Sequence, residues 1–215
     1  MIVTELIFVR HGQAQCNADG VVGGPRTCTG LTDLGRRQMI LAAERLAISH
    51  QRRPFTHLYA GPRPRLQESG SILAQAIGLP LVIANGLDGP RHGDADGKPW
   101  YEVKTAFRGG SHVHPDLPWA PGSDTWNGYL QRVGTVLSSL IRDHQGGRVL
   151  LAAHGETVLA AHTLLLRLRP DLTAGFTVDH ASLTHWQLHR NRFDDERWML
   201  YTHNDTAHLP DQEAS

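Results

Sequence analysis

The sequence predicts an α/β fold with a mostly parallel central sheet and helices on its faces. Short apolar runs recur at Leu6-Ile7-Phe8-Val9, Leu58-Tyr59-Ala60, Leu81-Val82-Ile83 and Val149-Leu150-Leu151-Ala152-Ala153, each bounded by polar or breaker residues as buried strands are. Segments with helical apolar spacing alternate with these runs, and a strand–helix–strand order supplies the crossover that parallel neighbours need. Two of the runs also end alike, in His11-Gly12 and His154-Gly155.

The first run delivers Arg10 and His11, and Gly12 turns the chain. Residues 10–31 read as a loop whose glycines, Gly12, Gly20, Gly23, Gly24 and Gly30, let backbone amides approach a ligand. Thr32 is an N-cap opening a helix with Leu34, Met39, Ile40, Ala43 and Leu46 as its apolar stripe. His57–Ala60 is a second strand, broken by Gly61-Pro62. Pro64 suits a first helical turn, and that helix runs to Ile77, ended by Gly78-Leu79-Pro80. Leu81–Ile83 is the third strand.

Residues 85–123 are rich in Gly, Pro and His and hold Trp100 and Trp119. An irregular stretch of that length is functional or disordered, and its aromatics predict an ordered lid with a short helix from Pro99 to Phe107. A long helix follows from Asp124 to His144, then a strand Arg148–Ala153, a helix over Val158–Leu168 stopped before Pro170, and a closing antiparallel pair, Ser182–His189 with Arg197–Tyr201. The polar tail after Leu209 is expected to fray. Residues 1–215 are read as a single domain carrying the lid insertion at about 85–123.

Lys+Arg and Asp+Glu balance at 21 each, so no global field draws nucleic acid or an anionic membrane. Cys16 and Cys28 are too few for a disulfide framework or a zinc site and are read as free thiols. The N-terminus has neither the charged region nor the apolar length of a signal peptide or membrane span. A cytoplasmic protein, with a homo-oligomer left open, is the expectation.

If the strands ending in His11 and His154 are neighbours, both imidazoles face one crevice at the carboxyl edge of the sheet, where α/β proteins bind ligands. Phosphate chemistry explains these residue types. A transferring phosphoryl group is stabilised by positioned charge, arginine offers forked donors to its oxygens, and a neutral imidazole attacks phosphorus to give a phosphohistidine. Nearby arginines hold His11 unprotonated, and Arg65, opening the helix after the second strand, is the natural second arginine.

Arg10-His11-Gly12 after a strand resembles the signature of the histidine phosphatase superfamily, the branch that includes phosphoglycerate mutase. Leu31-Thr32-Asp33-Leu34-Gly35-Arg36-Arg37-Gln38 is similar to its Leu-Thr-x-x-Gly-x-x-Gln helix start. Tyr59-Ala60-Gly61-Pro62-Arg63-Pro64-Arg65 resembles its Tyr-Ser-Ser-Pro-Leu-x-Arg element, and Pro121-Gly122-Ser123-Asp124-Thr125 its Pro-Gly-Gly-Glu-Ser turn. His154-Gly155 and the ending Asn204–Leu209 match as well. The resemblance covers nearly the whole chain. It implies a phosphoglycerate mutase-like three-layer α/β/α sandwich and a phosphomonoesterase of the histidine acid phosphatase type, with no cofactor and no metal. Its substrate would be a small phosphorylated molecule, without nucleic acid or membrane.

Carried over, His11 is the phosphorylated nucleophile, while Arg10, Asn17, Arg65, a cationic His154 and the Gly155 amide bind the phosphate. The departure lies at the general acid. The family's Leu-x-Glu, then Gly-x-Trp-Glu-Gly, corresponds to Leu87-Asp88-Gly89 and Gly93-Asp94-Ala95-Asp96-Gly97, which puts Gly89 where the glutamate belongs. Asp88 is the favoured substitute. Asp94 and Asp96, read first as turn-capping residues, and His92 are the others. Two further readings stand beside the phosphatase: a phosphoglycerate-type mutase and a phosphate-binding pseudo-enzyme. Gln13 and Glu156 are possible pocket liners. Trp100, Tyr101, Phe107 and Trp119 are lid aromatics, and His112-x-His114 lacks the carboxylate that would make it a metal site.

Overall fold

The computed structural model describes residues 1–110, 113–171, 174–210 and 213. One six-stranded sheet runs β3-β2-β4-β1-β5-β6, with strands β1 (Ile2–Arg10), β2 (His57–Ala60), β3 (Leu81–Ile83), β4 (Arg148–Ala153), β5 (Leu183–Arg190) and β6 (Glu196–Asp205). The first four are mutually parallel. β5 and β6 add an antiparallel edge, as the closing pair predicted.

Alternate residues of the central strands divide the core in two. Ile7, Val9, Leu58, Ala60, Leu150 and Ala152 face α2 (Asp33–Arg52) and α3 (Pro64–Ile77). Leu6, Phe8, Val149, Leu151 and Ala153 face α5 (Trp126–Asp143) and α6 (Gly155–Leu165). Helices therefore cover both faces, and the period of two along each buried strand feeds both layers.

Thr32 caps α2 by accepting from the Gly35 N–H at 3.0 Å. The stripe on that helix needs one correction: Gly35, Gln38, Met39, Ala42, Ala43 and Leu46 are buried while Ile40 is 46% exposed. Ile40 follows Met39 by one residue, about 100° around the helix, which turns it to solvent. α3 ends at Gly78, whose φ of 71° is the left-handed cap that glycine adopts without penalty. A short helix, α1 (Gln15–Ala18), occupies the loop where none was expected. α6 starts at Gly155, directly after His154, and ends at Leu165, three residues short of the predicted Leu168.

Within 85–123, two single 3-10 turns and α4 (Trp100–Phe107) are tied down by pairings of Val21 with Pro99 and His92 with Ser123. Val22, Ala95 and Val103 form a small core there, covered by Trp100 and Trp119. Tyr101 is 79% exposed and takes no part in it, because it follows Trp100 by one residue on the helix. Residues 211–212 and 214–215 of the tail, and His112, lie outside the described residues; the Glu213 carbonyl accepts from Gln38 at 2.7 Å.

Candidate active site

β1 and β4 run in register with Arg10 opposite Ala153, so His11 and His154 leave the sheet side by side. The His11 N–H continues the ladder to the Ala153 carbonyl at 2.9 Å, and the two imidazoles meet edge to face with centroids 5.4 Å apart. Gly12 permits this turn. A Cβ there would stand 2.1 Å from the Gly35 carbonyl oxygen, and one on Gly35 would stand 2.0 Å from that of Gln13, so both must be glycine for α2 to dock on the turn. The Gln13 side chain accepts from Thr32 Oγ1 at 2.9 Å, which places it in the cap of α2.

Hydrogen bonds fix the tautomers. His11 Nδ1 lies 2.7 Å from the Gly12 carbonyl; a carbonyl only accepts, so Nδ1 carries the proton and the Nε2 lone pair is free. Arg65 Nη2 lies 3.3 Å from His154 Nδ1. Arginine only donates, so a neutral His154 bears its proton on Nε2, a buried atom with no partner among the described residues. Burial first, then Arg65 and Arg10, push His11 well below the usual histidine range. Burial, Arg65 and Arg63 do the same to His154. In the open pocket His154 is therefore neutral and presents an N–H; the cationic role expected of it belongs to the pocket with phosphate bound.

The arginines are anchored by carbonyls. Arg65 Nη1 donates to Gly23 at 2.9 Å, and Arg10 Nη1 donates to the Val178 carbonyl. Arg10 Nη2 donates to His180 Nε2 at 3.0 Å. The Nε atoms of Arg10 and Arg65 are, like His154 Nε2, buried without a partner. Buried donors are normally satisfied, so three orphans on the side chains around His11 mark a place built for an anion. Asn17 Oδ1 accepts from the Ala14 N–H at 3.0 Å, which leaves its amide nitrogen as the donor. The Gly155 amide begins α6, and a Cβ there would lie 3.4 Å from Arg10 Nε.

His180 is the residue that sequence reasoning missed. Its ring centroid lies 6.0 Å from that of His11. Because β5 is antiparallel to β1, with Leu183 opposite Val9, the residues entering β5 stand at the edge where β1 ends. The closing antiparallel pair was visible in the sequence, and its consequence for His180 was the available signal.

A cleft of about 480 Å³ opens outward from Arg10 and Asn17 between Trp100, Trp119, Trp126 and Tyr129, with Glu156 on its wall. The lid aromatics pack on one another: Trp100 and Trp119 have centroids 5.4 Å apart, and His92 sits buried against both.

The profile of the histidine phosphatase superfamily (branch 1) matches residues 6–206. This chain belongs to that family. The chain is 26% identical over 210 residues to phosphoglycerate mutase-like protein 4 of Arabidopsis thaliana, covering 95% of this chain and 86% of that one. It is 26% identical over 212 residues to a metal-independent phosphoserine phosphatase of the same plant, covering 96% and 84%. A mycobacterial glucosyl-3-phosphoglycerate phosphatase superimposes with a TM-score of 0.77 at 24% identity, over 93% of this chain and 98% of that one. The family's phosphatase character makes this chain an enzyme of the hydrolase class.

Against that family the acid segment stands apart. A Cβ on Gly89 would lie 2.9 and 3.0 Å from His154 Cδ2 and Nε2 and 3.2 Å from Arg63 Nη1, so the side chains of His154 and Arg63 crowd the place where the family's glutamate would begin. Arg63, at the motif's leucine position, is buried. It donates to the carbonyls of Gly23 at 2.9 Å and Pro90 at 2.6 Å, and its Nε stands 2.7 Å from Asp88 Oδ1. The favoured substitute acid is thus held as the counter-ion of a structural arginine. Asp96 accepts from the N–H groups of Gly24 and Arg26, both at 2.9 Å, and from Thr27 Oγ1 at 2.5 Å, the turn-capping role foreseen for it; Asp94 is exposed.

Proposed function

We propose that this enzyme hydrolyses a small organic phosphomonoester through a phosphohistidine on His11, without a metal. The observation that carries the reading is the neutral His11, its Nε2 lone pair free, ringed by the unpartnered N–H groups of Arg10, Arg65 and His154. Nε2 attacks phosphorus, and the guanidiniums and the His154 N–H take up charge on the equatorial oxygens. Asn17 and the Gly155 amide add donors, the latter at a helix N-terminus. Water then attacks the phosphohistidine and releases phosphate. Guanidiniums flanking the imidazoles repel a metal cation, which supports the metal-independent reading.

The names of the relatives, a phosphoserine phosphatase and a glucosyl-3-phosphoglycerate phosphatase, support a small phosphorylated substrate, and the cleft's volume suits one. A mutase must keep its acid–base group at the reacting oxygens, and the crowded site at Gly89 favours hydrolysis over that alternative. The assembled donor set favours an enzyme over a phosphate-binding pseudo-enzyme. No helix among the described residues is long and apolar enough to cross a membrane, and two buried, unbridged cysteines suit the cytoplasmic setting expected for it. The test is phosphate release from p-nitrophenyl phosphate. His11→Ala abolishes it and EDTA leaves the wild type active; release that survives the substitution overturns the mechanism.

A further inference from the structure

The phosphohistidine reading leaves one chemical role unfilled, the proton that the departing alkoxide needs. Position 89 is a glycine crowded by His154 and Arg63 and carries no acid, Asp88 is bound to Arg63, and Asp96 is spent on backbone amides and Thr27. Two carboxylates line the cleft that opens from Arg10, Asp124 and Glu156. Asp124 Oδ2 is taken by Arg132 Nη2 at 2.7 Å and by the Arg91 N–H at 3.0 Å. Glu156 has no salt-bridge partner among the described residues. It stands at the second position of α6 and shares with Leu159, three residues on, the helical face turned to the cleft. The turn that carries it packs on Arg10 through Gly155.

We propose that Glu156 is the general acid of this enzyme. The inference rests on the phosphohistidine reading. In the first step the N–P bond to His11 Nε2 forms as the P–O bond to the leaving group breaks. The electron pair goes to that oxygen, which takes the proton of the Glu156 carboxyl. In the second step the Glu156 carboxylate takes a proton from water as the water oxygen bonds to phosphorus, and the N–P electron pair returns to Nε2.

The charges around Glu156 change in the sense that this cycle needs. In the open pocket burial raises its pKa, but its own backbone N–H, Arg10, His92 and Arg65 outweigh that and hold the carboxyl below its ordinary range. Tyr129 faces the same cleft, and burial pushes its phenol well above the usual tyrosine range, so it stays neutral. A bound phosphoryl dianion neutralises Arg10 and Arg65 and repels a carboxylate, so substrate itself brings the proton onto Glu156.

Leaving-group dependence tests this. kcat/KM is measured for p-nitrophenyl, phenyl and benzyl phosphate, whose leaving oxygens grow more basic in that order. Glu156→Gln is expected to keep p-nitrophenyl turnover within about tenfold, since that group departs as the anion, and to lose benzyl phosphate turnover by about 10²–10⁴-fold. An equal loss on all three esters, or no loss on benzyl phosphate, overturns the assignment. His11→Ala run alongside separates the two questions: if it stays active, the phosphohistidine reading falls; if it is inactive while Glu156→Gln is uniform across the series, only the acid does.

Discussion

Gly89→Ala adds one methyl group and probes the crowded acid site directly. Its Cβ would meet His154 Cδ2 at 2.9 Å, Nε2 at 3.0 Å and Arg63 Nη1 at 3.2 Å, where ordinary contact begins near 3.4 Å. Neither neighbour is a loose chain end: His154 is 1% exposed and held by Arg65, and Arg63 is 2% exposed and held by Gly23 and Pro90. The methyl must therefore push the imidazole by about half an ångström, and overpacking of this kind costs about 1–3 kcal/mol. A displaced His154 N–H no longer meets the phosphoryl oxygen, and misplacement by about 1 Å lowers rate by about 10²-fold. Urea unfolding gives the first quantity, and kcat/KM on p-nitrophenyl phosphate gives the second. The companion Gly89→Glu restores the family's residue, yet is expected to do no better than alanine. Wild-type stability and rate in Gly89→Ala, or a Gly89→Glu enzyme that surpasses the wild type on benzyl phosphate, would refute the reasoning.

Arg63→Leu puts the motif's usual residue in place but strips Asp88 of its counter-ion and two carbonyls of their donor. A loss of about 2–4 kcal/mol in urea unfolding is expected, with Asp88→Asn milder because its carboxylate is less buried; equal, negligible effects would show that the pair is not structural. For pH, His92, His162 and His180 titrate at about 4 in the fold, and His11 and His154 also lie below 6.5. The unfolded chain therefore binds more protons between those values and 6.5. Stability is full above about pH 6.5 and falls as pH drops toward 4, by about 1.4 kcal/mol per pH unit for each such histidine. Denaturation midpoints that stay flat from pH 7 to 5 would contradict this.

The central strands β1 and β4 were legible because burial on both faces writes them as uninterrupted apolar runs; the edge strand β3, with Val82 and Ile83 exposed, was legible only as a short apolar run following Pro80. The nucleophile candidate and its neighbours were legible because each closes such a run or opens the following helix, where residue type and chain position coincide. His180 and Arg63 were not, since their importance comes from contacts with Arg10, Asp88 and Gly23 across 170, 25 and 40 residues of chain. Asp88 misled for a related reason. Adjacency to position 89 makes it look displaced by one residue, whereas its carboxylate is taken by the Arg63 guanidinium, a pairing that only the fold brings about.

The guanidiniums have opposite effects on the pocket before and after substrate arrives. Unneutralised, they add to burial in keeping His11 and His154 neutral, and add to the helix backbone N–H in keeping Glu156 ionised against burial, which is what a nucleophilic imidazole requires and what an acid must not be. Once a phosphoryl dianion lies between Arg10 and Arg65, the same cations are spent on its oxygens, and protons are drawn to the groups beside it. His11 is exempt, because its Nε2 lone pair points at phosphorus and its Nδ1–H is already given to Gly12. A carboxylate need not occupy position 89 for this to work. It need only lie within the reach of the two arginines and open to the cleft, and Glu156 meets both conditions.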